Sequence, residues 1–328
     1  MFSVVIPLYN KAHTIEDTLN SVLSQTFSEF EVLVINDGST DNGIDVIKEF
    51  TDDPRIRIIN QENQGVSAAR NKGVAESKYD YIAFLDGDDE WMPGFLEKIK
   101  DAIERFPEAG LLGTSSVHRN FVTREEEDST LLRYKDRIQL VDYFENPTTM
   151  SHTSAVVVSK RIFNSVDEHG EGFPVGMKCC EDWSCFFRIA FNAPVVYIGQ
   201  PLGVRNNNVP GQITGISQEQ RFKLLRHVVD FYNLTYQSWL DLKNKNNNYR
   251  IFLKYDIRHR ILSALKNRDY KTLDYLLKTL NSNILKGYSL FELILYRNKK
   301  TRVLGILYIY FTKLIWRTHG FPIVGHNK

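Results

Sequence analysis

Cysteine is scarce in this chain, with three residues among 328. Cys179, Cys180 and Cys185 are close together but lack the CxxC spacing of zinc or redox sites, and adjacent cysteines form a disulfide only under strain. We therefore interpret them as reduced thiols of a cytoplasmic protein, and not as a disulfide or a metal site.

A long hydrophobic run is also missing. The most apolar stretch, residues 303–316, is shorter than the about 20 residues that a membrane-spanning helix needs, and it contains Lys313. Basic residues flank the stretch, namely Lys299, Lys300, Arg302 and Arg317. This pattern leaves two interpretations open, a helix that lies peripherally on the inner face of the plasma membrane and a helix that packs in the core.

No charge of one sign dominates, because 41 basic residues face 40 acidic ones, so nucleic acid is not a predicted partner. The N-terminus lacks the basic segment and cleavage site of a signal peptide and is predicted to form a first strand. The glycine-rich loops of NAD-dependent dehydrogenases and sugar nucleotidyltransferases are missing too. Residues 7–11, Pro-Leu-Tyr-Asn-Lys, stand in their place.

Short apolar runs alternate with helical patterns from the N-terminus onward. The runs predict strands at residues 3–8, 31–36, 55–60, 79–85, 110–117 and 153–159. The charged stretch 124–128 is predicted to be a solvated loop. Such alternation is typical of an α/β fold with a mostly parallel central sheet flanked by helices, in which ligands bind at the carboxyl ends of the strands.

Beyond about residue 215 the apolar spacing becomes helical, as in Phe222, Leu225, Val229 and Tyr232. We predict a catalytic domain over residues 1–214 and a helical C-terminal extension over 215–328. The extension is expected to contact the acceptor, a partner subunit or the membrane.

An acidic cluster follows the fourth predicted strand, at Asp86, Asp88 and Asp89. Carboxylates so close together repel each other unless a cation neutralises them. Oxygen ligands suit Mg²⁺ or Mn²⁺, which typically bind one or two carboxylates together with substrate phosphates. A divalent metal and a diphosphate are therefore predicted here, although a short acidic run alone is also common in turns.

Three further motifs lie at predicted strand or helix ends. Asp37 ends the second strand, Arg70 lies on the helix after the third strand, and Glu181 and Asp182 open a later helix. Each has an ordinary structural explanation by itself: a turn residue, an exposed arginine and acids that favour a helix N-terminus. A base from another segment is, however, what transfer to a hydroxyl requires, so the combination indicates group transfer.

The order and spacing of these motifs resemble the family-2 inverting glycosyltransferases of the GT-A fold, of the bacterial glycan-assembly type. The resemblance covers about the first 205 residues and rests on the segments 4–10, 34–41, 63–71, 84–89 and 181–183. It implies an enzyme that uses a metal and moves a hexose from a nucleotide-diphosphate donor, with UDP as the expected nucleotide.

The resemblance also implies residue roles at the nucleotide. Pro7 and Tyr9 are expected to line the nucleotide pocket, Asp37 to bind the base, Arg70 to contact the nucleotide and Asp86 to hold the ribose.

At the reacting centre the resemblance implies Asp88 as the metal ligand, with Asp89 in support. Asp182 is expected to be the general base, with Glu181 beside it to orient the acceptor or the helix. Arg205 is expected to neutralise the leaving diphosphate.

Two positions depart from the family pattern: Asn207 stands where a histidine is frequent, and Ser184 where an acid is frequent. His152 lies in the region that meets acceptors, but a lone histidine is more often structural, so it is left out of the catalytic set.

The predicted acceptor is a glycan or a lipid-linked glycan of the cell surface. A non-catalytic nucleotide-sugar-binding protein and a sugar nucleotidyltransferase remain the alternatives.

Overall fold

The computed structural model describes residues 1–150, 152–167, 169, 171–210 and 218–318, and for residues 148, 149, 218 and 313–318 it describes the backbone alone. The strands are Phe2–Leu8 (β1), Phe30–Asp37 (β2), Ile56–Gln61 (β3), Tyr81–Phe84 (β4), Glu90–Trp91 (β5), Leu111–Asn120 (β6), Glu126–Asp128 (β7), Ile138–Val141 (β8), Val156–Ser159 (β9) and Val195–Asn207 (β10).

The helices fall into two groups, six that flank the sheet and six at the C-terminal end of the described chain. They are Ile15–Leu23 (α1), Gly43–Lys48 (α2), Val66–Glu76 (α3), Phe95–Arg105 (α4), Lys160–Ser165 (α5), Glu181–Asn192 (α6), Gln218–Leu240 (α7), Asn247–Lys266 (α8), Tyr270–Thr279 (α9), Ser282–Leu285 (α10), Leu290–Arg297 (α11) and Arg302–Thr318 (α12).

All described strands belong to one sheet, in the order β3-β2-β1-β4-β9-β6-β10-β5, with β7 paired to β6 and β8 to β10. The first four strands in this order are parallel, as are β6 and β10. Strand β9 is antiparallel to both of its neighbours, β4 and β6. The parallel block places the ends of β1, β2 and β4 side by side, which brings the polar motifs to one edge of the sheet.

The six predicted strands are all present, although the segment 153–159 begins as a 3-10 turn at Thr153–Ala155 before it becomes β9. Four strands were not predicted, the short strands β5, β7 and β8 and the long strand β10. Part of the predicted loop 124–128 forms β7, whose side chains are exposed, and the 13-residue strand β10 gave no clear signal. Glycine and proline interrupt β10 at residues 199–203, where its register with β6 shifts.

Apolar side chains cover both faces of the sheet. Val4 and Ile6 of β1 pack with α1 and α4 on one face, whereas Val5 points to the face that carries α3 and α6. The C-terminal helices continue this second cluster. The predicted boundary at residue 214 lies outside the described residues, so the division into two domains stays a prediction.

The predicted helical C-terminal region contains α7 to α12. In α12, Arg302, Gly305 and Ile309 are buried, and much of the remaining described surface of the helix is exposed. The segment 303–316 therefore packs along one face only, up to the last described side chain, Thr312. The side chains of Lys313, Trp316 and Arg317 lie outside the described part.

Candidate active site

The ends of β1 and β2 are joined by side-chain contacts to backbone groups. Asn10 has a left-handed φ of 54°, and its Oδ1 accepts from the Thr40 amide at 2.8 Å. The Asp41 carboxylate accepts from the Ala12 amide at 2.8 Å. Pro7 is half-buried, and the Tyr9 ring is 48% exposed directly after β1. At the predicted nucleotide pocket, these hydrogen bonds therefore fix the backbone after β1 and β2, and the Tyr9 ring is accessible.

Asp37 is buried at the end of β2 and binds the loop before α3. Its Oδ1 accepts from Gln61 Nε2 and the Gln64 amide, both at 2.8 Å, and its Oδ2 accepts from the Gly65 amide at 2.8 Å. A carboxylate has about four acceptor positions, so three donors leave about one for a ligand. The expected contact with the base stays a prediction, and the observed role of Asp37 is to shape the loop.

Arg70 of α3 is a buried cation between two acidic segments. Its guanidinium donates to Asp86 Oδ1 at 2.7 Å and to Glu181 Oε1 at 3.3 Å, and lies 5.2 Å from the centre of the Phe173 ring. Burial alone lowers the pKa of Arg70, but the charges of Asp86 and Glu181 outweigh burial and raise it. Arg70 thereby connects the acidic cluster after β4 with the start of α6.

Asp88 lies between like-charged carboxylates and one lysine. Burial and the neighbouring Asp89 raise its pKa, against the effect of Lys11, whose Nζ lies 2.6 Å from Asp88 Oδ2. A cationic group therefore already occupies a position beside the carboxylate that was predicted to bind metal.

Asp89 is held by three donors. Ser154 Oγ and His152 Nε2 lie 2.6 and 2.8 Å from its Oδ2, and the Asn206 amide donates to its Oδ1 at 2.9 Å. Burial alone raises the pKa of Asp89, but His152 and the hydrogen bonds outweigh it and lower the pKa. This carboxylate is charged and fixed, which suits a supporting role beside Asp88.

His152, Ser154 and Asn206 were not predicted as site residues. His152 had been interpreted as structural, and the structure places it in direct contact with Asp89. Asn206 also donates from Nδ2 to the Asp88 carbonyl oxygen at 2.9 Å. No local spacing signals these contacts, because they join segments far apart in the chain. The one available signal was the Arg205-Asn206 pair at a position that the resemblance assigned to the diphosphate.

Asp182 lies in the first turn of α6, after Cys180, which has a left-handed φ of 61°. Its Oδ1 accepts from the Trp183 amide at 2.7 Å. Burial first, and the charge of Glu181 second, raise the pKa of Asp182 to about 7, against the opposing effect of Arg70. A carboxylate with such a pKa can accept a proton near neutral pH, as a general base must.

Arg205 lies on β10 opposite His118 of β6. Burial first and the positive charge of Arg205 second lower the pKa of His118. Arg205 directly precedes Asn206, so it belongs to the same end of the site as Asp89. Its contact with a diphosphate stays a prediction.

The donor chemistry at Asp88 fits a hard divalent cation, because it offers carboxylate oxygens in a place where negative charge is in excess. Within the described residues, no group of three or more His, Cys, Asp or Glu side chains forms a complete metal site.

This chain is similar in sequence to known glycosyltransferases. Residues 3–163 match the family model Glycosyl transferase family 2. The uncharacterized glycosyltransferase EpsJ of Bacillus subtilis is 32% identical over 40% of this chain and 40% of its own length. The putative teichuronic acid biosynthesis glycosyltransferase TuaG of the same species is 40% identical over 30% of this chain and 40% of its own length. The chain thus covers less than half of these relatives.

Two solved structures have the same fold. Staphylococcus aureus TarS 1–349 in complex with UDP-GlcNAc superposes with a TM-score of 0.66 at 16% identity, over 97% of this chain and 92% of that one. The mannosyltransferase PcManGT of Pyrobaculum calidifontis, in complex with GDP-Man and Mn²⁺, gives 0.57 at 18% identity, over 96% and 87%. The predicted α/β fold of GT-A type is confirmed.

Proposed function

We propose that this chain, a family-2 glycosyltransferase with the GT-A fold, transfers a hexose from a nucleotide-diphosphate donor to a hydroxyl acceptor with inversion at the anomeric carbon. The observation that carries the proposal is the connection through Arg70: it joins Asp86, at the predicted nucleotide end, to the α6 segment that contains Asp182. Donor and base are thereby held in one site.

The proposed reaction is a single displacement. Asp182 accepts the proton of the acceptor hydroxyl, and the acceptor oxygen forms a bond to the anomeric carbon. The bond from that carbon to the diphosphate oxygen breaks, and its electron pair leaves with the nucleoside diphosphate. Asp182 is well suited to the first part because its pKa of about 7 lets it hold the proton that it removes.

The leaving diphosphate needs positive charge, since negative charge develops on it as the bond breaks. Asp88, with Asp89 in support, would hold Mg²⁺ or Mn²⁺, and the ion would supply this charge together with Arg205. Lys11, now 2.6 Å from Asp88, adds a further cation at the same end. A UDP donor is supported by the UDP-GlcNAc bound to TarS.

The acceptor is proposed to be a growing cell-surface polysaccharide or a lipid-linked glycan. The support comes from TuaG, whose name refers to teichuronic acid biosynthesis.

The proposed function is tested with the full chain and a panel of nucleotide sugars, with and without Mn²⁺. A donor should raise the melting temperature by mass action, and Mn²⁺ should increase the effect. Slow release of the nucleoside diphosphate without an acceptor should accompany binding. Stabilisation by a donor with no release under any condition, acceptor glycans included, would favour a non-catalytic nucleotide-sugar-binding protein.

We also propose peripheral binding to the inner face of the plasma membrane. In the described part of the chain, no helix combines the length and hydropathy that crossing a bilayer requires. Large apolar side chains are nevertheless exposed along two adjoining helices, at Leu290, Phe291, Ile294, Val303, Leu304, Leu307, Tyr310 and Phe311.

The charge around this apolar face fits an anionic leaflet. Among the described side chains of residues 275–312, the exposed charged groups are Lys278, Lys286, Arg297, Lys299 and Lys300, and the acid Glu292 is buried against Arg258. Apolar contact and basic charge together are what surface binding needs.

Flotation with vesicles that contain anionic lipid tests this surface. Leu307→Asp with Phe311→Asp should reduce flotation strongly, whereas Leu132→Asp, at an exposed position elsewhere, should not. Self-association of the chain in place of vesicle binding would contradict the membrane assignment.

A further inference from the structure

A cavity lies within the C-terminal helices, away from the motif residues. It has a volume of about 510 Å³ and is bounded by α7, α8 and the segment from α10 to Tyr288. That volume is in the range of small-molecule sites, which typically lie between about 300 and 1,000 Å³. The reaction proposed above uses none of its lining residues.

The cavity is positively charged. Arg250 and Lys254 line it, and no acid is among its described lining residues. Lys254 Nζ donates to the Gly287 carbonyl oxygen at 2.7 Å. Burial first, and the nearby charge of Arg258 second, lower the pKa of Lys254. An anion in the cavity would offset both effects, because it would neutralise cations that now repel each other.

The other lining groups suit a sugar ring. Tyr236 and Tyr288 contribute aromatic rings, and Asn247 and Asn283 contribute amides that can both donate and accept hydrogen bonds to hydroxyls. Apolar walls with a few polar groups are the usual composition of a small-molecule site. Lys254 Nζ lies 5.4 Å from the Tyr288 ring centre, so cation and aromatic face are adjacent.

Helix α7 links the cavity to the α6 segment that contains the proposed base. Phe231 lies 6.0 Å from Trp183, ring centre to ring centre, and Trp183 directly follows Asp182. Tyr236 comes five residues after Phe231, which corresponds to a rise of about 7.5 Å along a helix. These separations are within the length of an acceptor of several sugar units, which would pass over the surface because Phe231 is itself buried.

We infer that this cavity is an acceptor subsite for an anionic saccharide, a sugar that carries a phosphate or a carboxylate. The inference rests on the proposed function, since it names the chemical class of the acceptor. Arg250 and Lys254 bind the anionic group, and the tyrosine rings contact the sugar ring. The source of the ligand is either a free sugar phosphate or a unit of an anionic polymer.

The test measures binding of glucose 6-phosphate, glucose, inorganic phosphate and a glycerol phosphate oligomer to the full chain by calorimetry. Glucose 6-phosphate should bind at least tenfold more tightly than glucose or phosphate. Arg250→Gln with Lys254→Gln should weaken its binding at least tenfold. The control Lys223→Gln removes an exposed lysine of α7 that pairs with Glu219 at 3.1 Å, and should leave binding unchanged. Tighter binding of the oligomer would identify a polymer as the source, and equal binding a free sugar phosphate.

Wild-type affinity in the double variant, or equal affinity for glucose and glucose 6-phosphate, would overturn the inference. Stabilisation by UDP serves as the folding control and should be the same in all variants. If donor hydrolysis is observed but no probe binds, the subsite alone fails. If the probes bind as expected but no donor is turned over, the proposed transfer fails and the cavity remains a site for anionic sugars.

Discussion

Two groups of acids in this molecule differ in how their charge is balanced. At the candidate active site lie five acids, Asp86, Asp88, Asp89, Glu181 and Asp182, where Lys11 contacts Asp88 and His152 contacts Asp89. Arg70 is shared by Asp86 and Glu181. The pKa values of Asp88 and Asp182 are raised, in each case by burial first and by a neighbouring carboxylate second.

Several acids of the C-terminal helices are paired with a nearby arginine, among them Asp256, Asp274 and Glu292. Glu292 accepts from Arg258 Nε and Nη2 at 2.6 and 2.7 Å. Asp274, which is exposed, accepts one hydrogen bond from Nη2 of the buried Arg302, and this pair joins α9 to α12. The last two pairs join helices and hold each charge in a fixed place, which is a structural role.

We interpret the raised pKa values at the active site as a sign of function, and the arginine pairs of the C-terminal helices as a sign of a structural role. A buried charge without a full partner costs stability, so a fold retains it mainly where a cation, a diphosphate or a proton is to be bound. If this view is right, removing a charge at the active site should abolish activity with little loss of stability. Removing a charge in the C-terminal helices should do the opposite.

The largest expected effect on activity belongs to Asp182→Asn. Asn cannot accept the proton, so donor turnover should fall about a thousandfold, within the range typical of general bases. The melting temperature should stay the same or rise, because repulsion from Glu181 is removed. Turnover should be measured with the donor that stabilises the chain most, beside calorimetric melting. Wild-type turnover in this variant would remove Asp182 from its proposed role.

The corresponding substitution among the paired acids of the C-terminal helices is Glu292→Gln. It leaves Arg258 buried without its charged partner, and breaking such a pair costs about 3 to 5 kcal/mol of unfolding free energy. Turnover per folded molecule should not change. Replacing both partners with methionine should recover most of the stability, because two buried charges are removed together. Urea unfolding of the wild type and the two variants measures this directly, and a Glu292→Gln chain as stable as the wild type would contradict the comparison.

Much of this arrangement could be predicted from the sequence. The parallel strands β1 to β4 were predicted within two residues of their observed ends, because each is rich in apolar and β-branched residues and is followed by a polar segment. The contacts of Asp89 could not be predicted. They come from His152 and Asn206, which are 63 and 117 residues away in the chain. Such contacts depend on how β9 and β10 pair in the sheet, and the irregular β10 gave no signal.

The pairing of charged side chains could not be predicted from the sequence either. The contact of Arg70 with the nucleotide stays a prediction, and its observed contacts with Asp86 and Glu181, on other elements, were not predicted. The segment 303–316 left two interpretations open, and the described part of α12 has both a buried face and an exposed apolar face. Local spacing predicts an amphipathic helix, but only the packing shows which face is covered.

The next largest effect on turnover is expected for Asp88→Asn. Because Asp88 is the proposed metal ligand, the variant should lose most of its stimulation by Mn²⁺ and about a hundredfold in turnover, similar to the loss of one group that stabilises developing charge. Asp128→Asn, at an exposed acid on β7, is the control and should behave as wild type. Titration of Mn²⁺ against turnover distinguishes the two. A full response to Mn²⁺ in Asp88→Asn would place the metal elsewhere.

The smallest effect, and the finest test of the comparison, is the pH dependence of turnover. Only ionised Asp182 can accept a proton, and its pKa is raised to about 7, so the rate should fall tenfold for each pH unit below that value. Glu181, Arg70 and Asp86 are the charged groups that act on it, and Tyr143 lies near it. Glu181→Gln removes a like charge and should move the midpoint downward, whereas Asp128→Asn should not move it. If the wild-type rate instead had its pH midpoint near 4, the ordinary pKa of an aspartate, the pKa of Asp182 would not be raised. Asp182 would then resemble the paired acids of the C-terminal helices, and the proposed difference between the two groups would be contradicted.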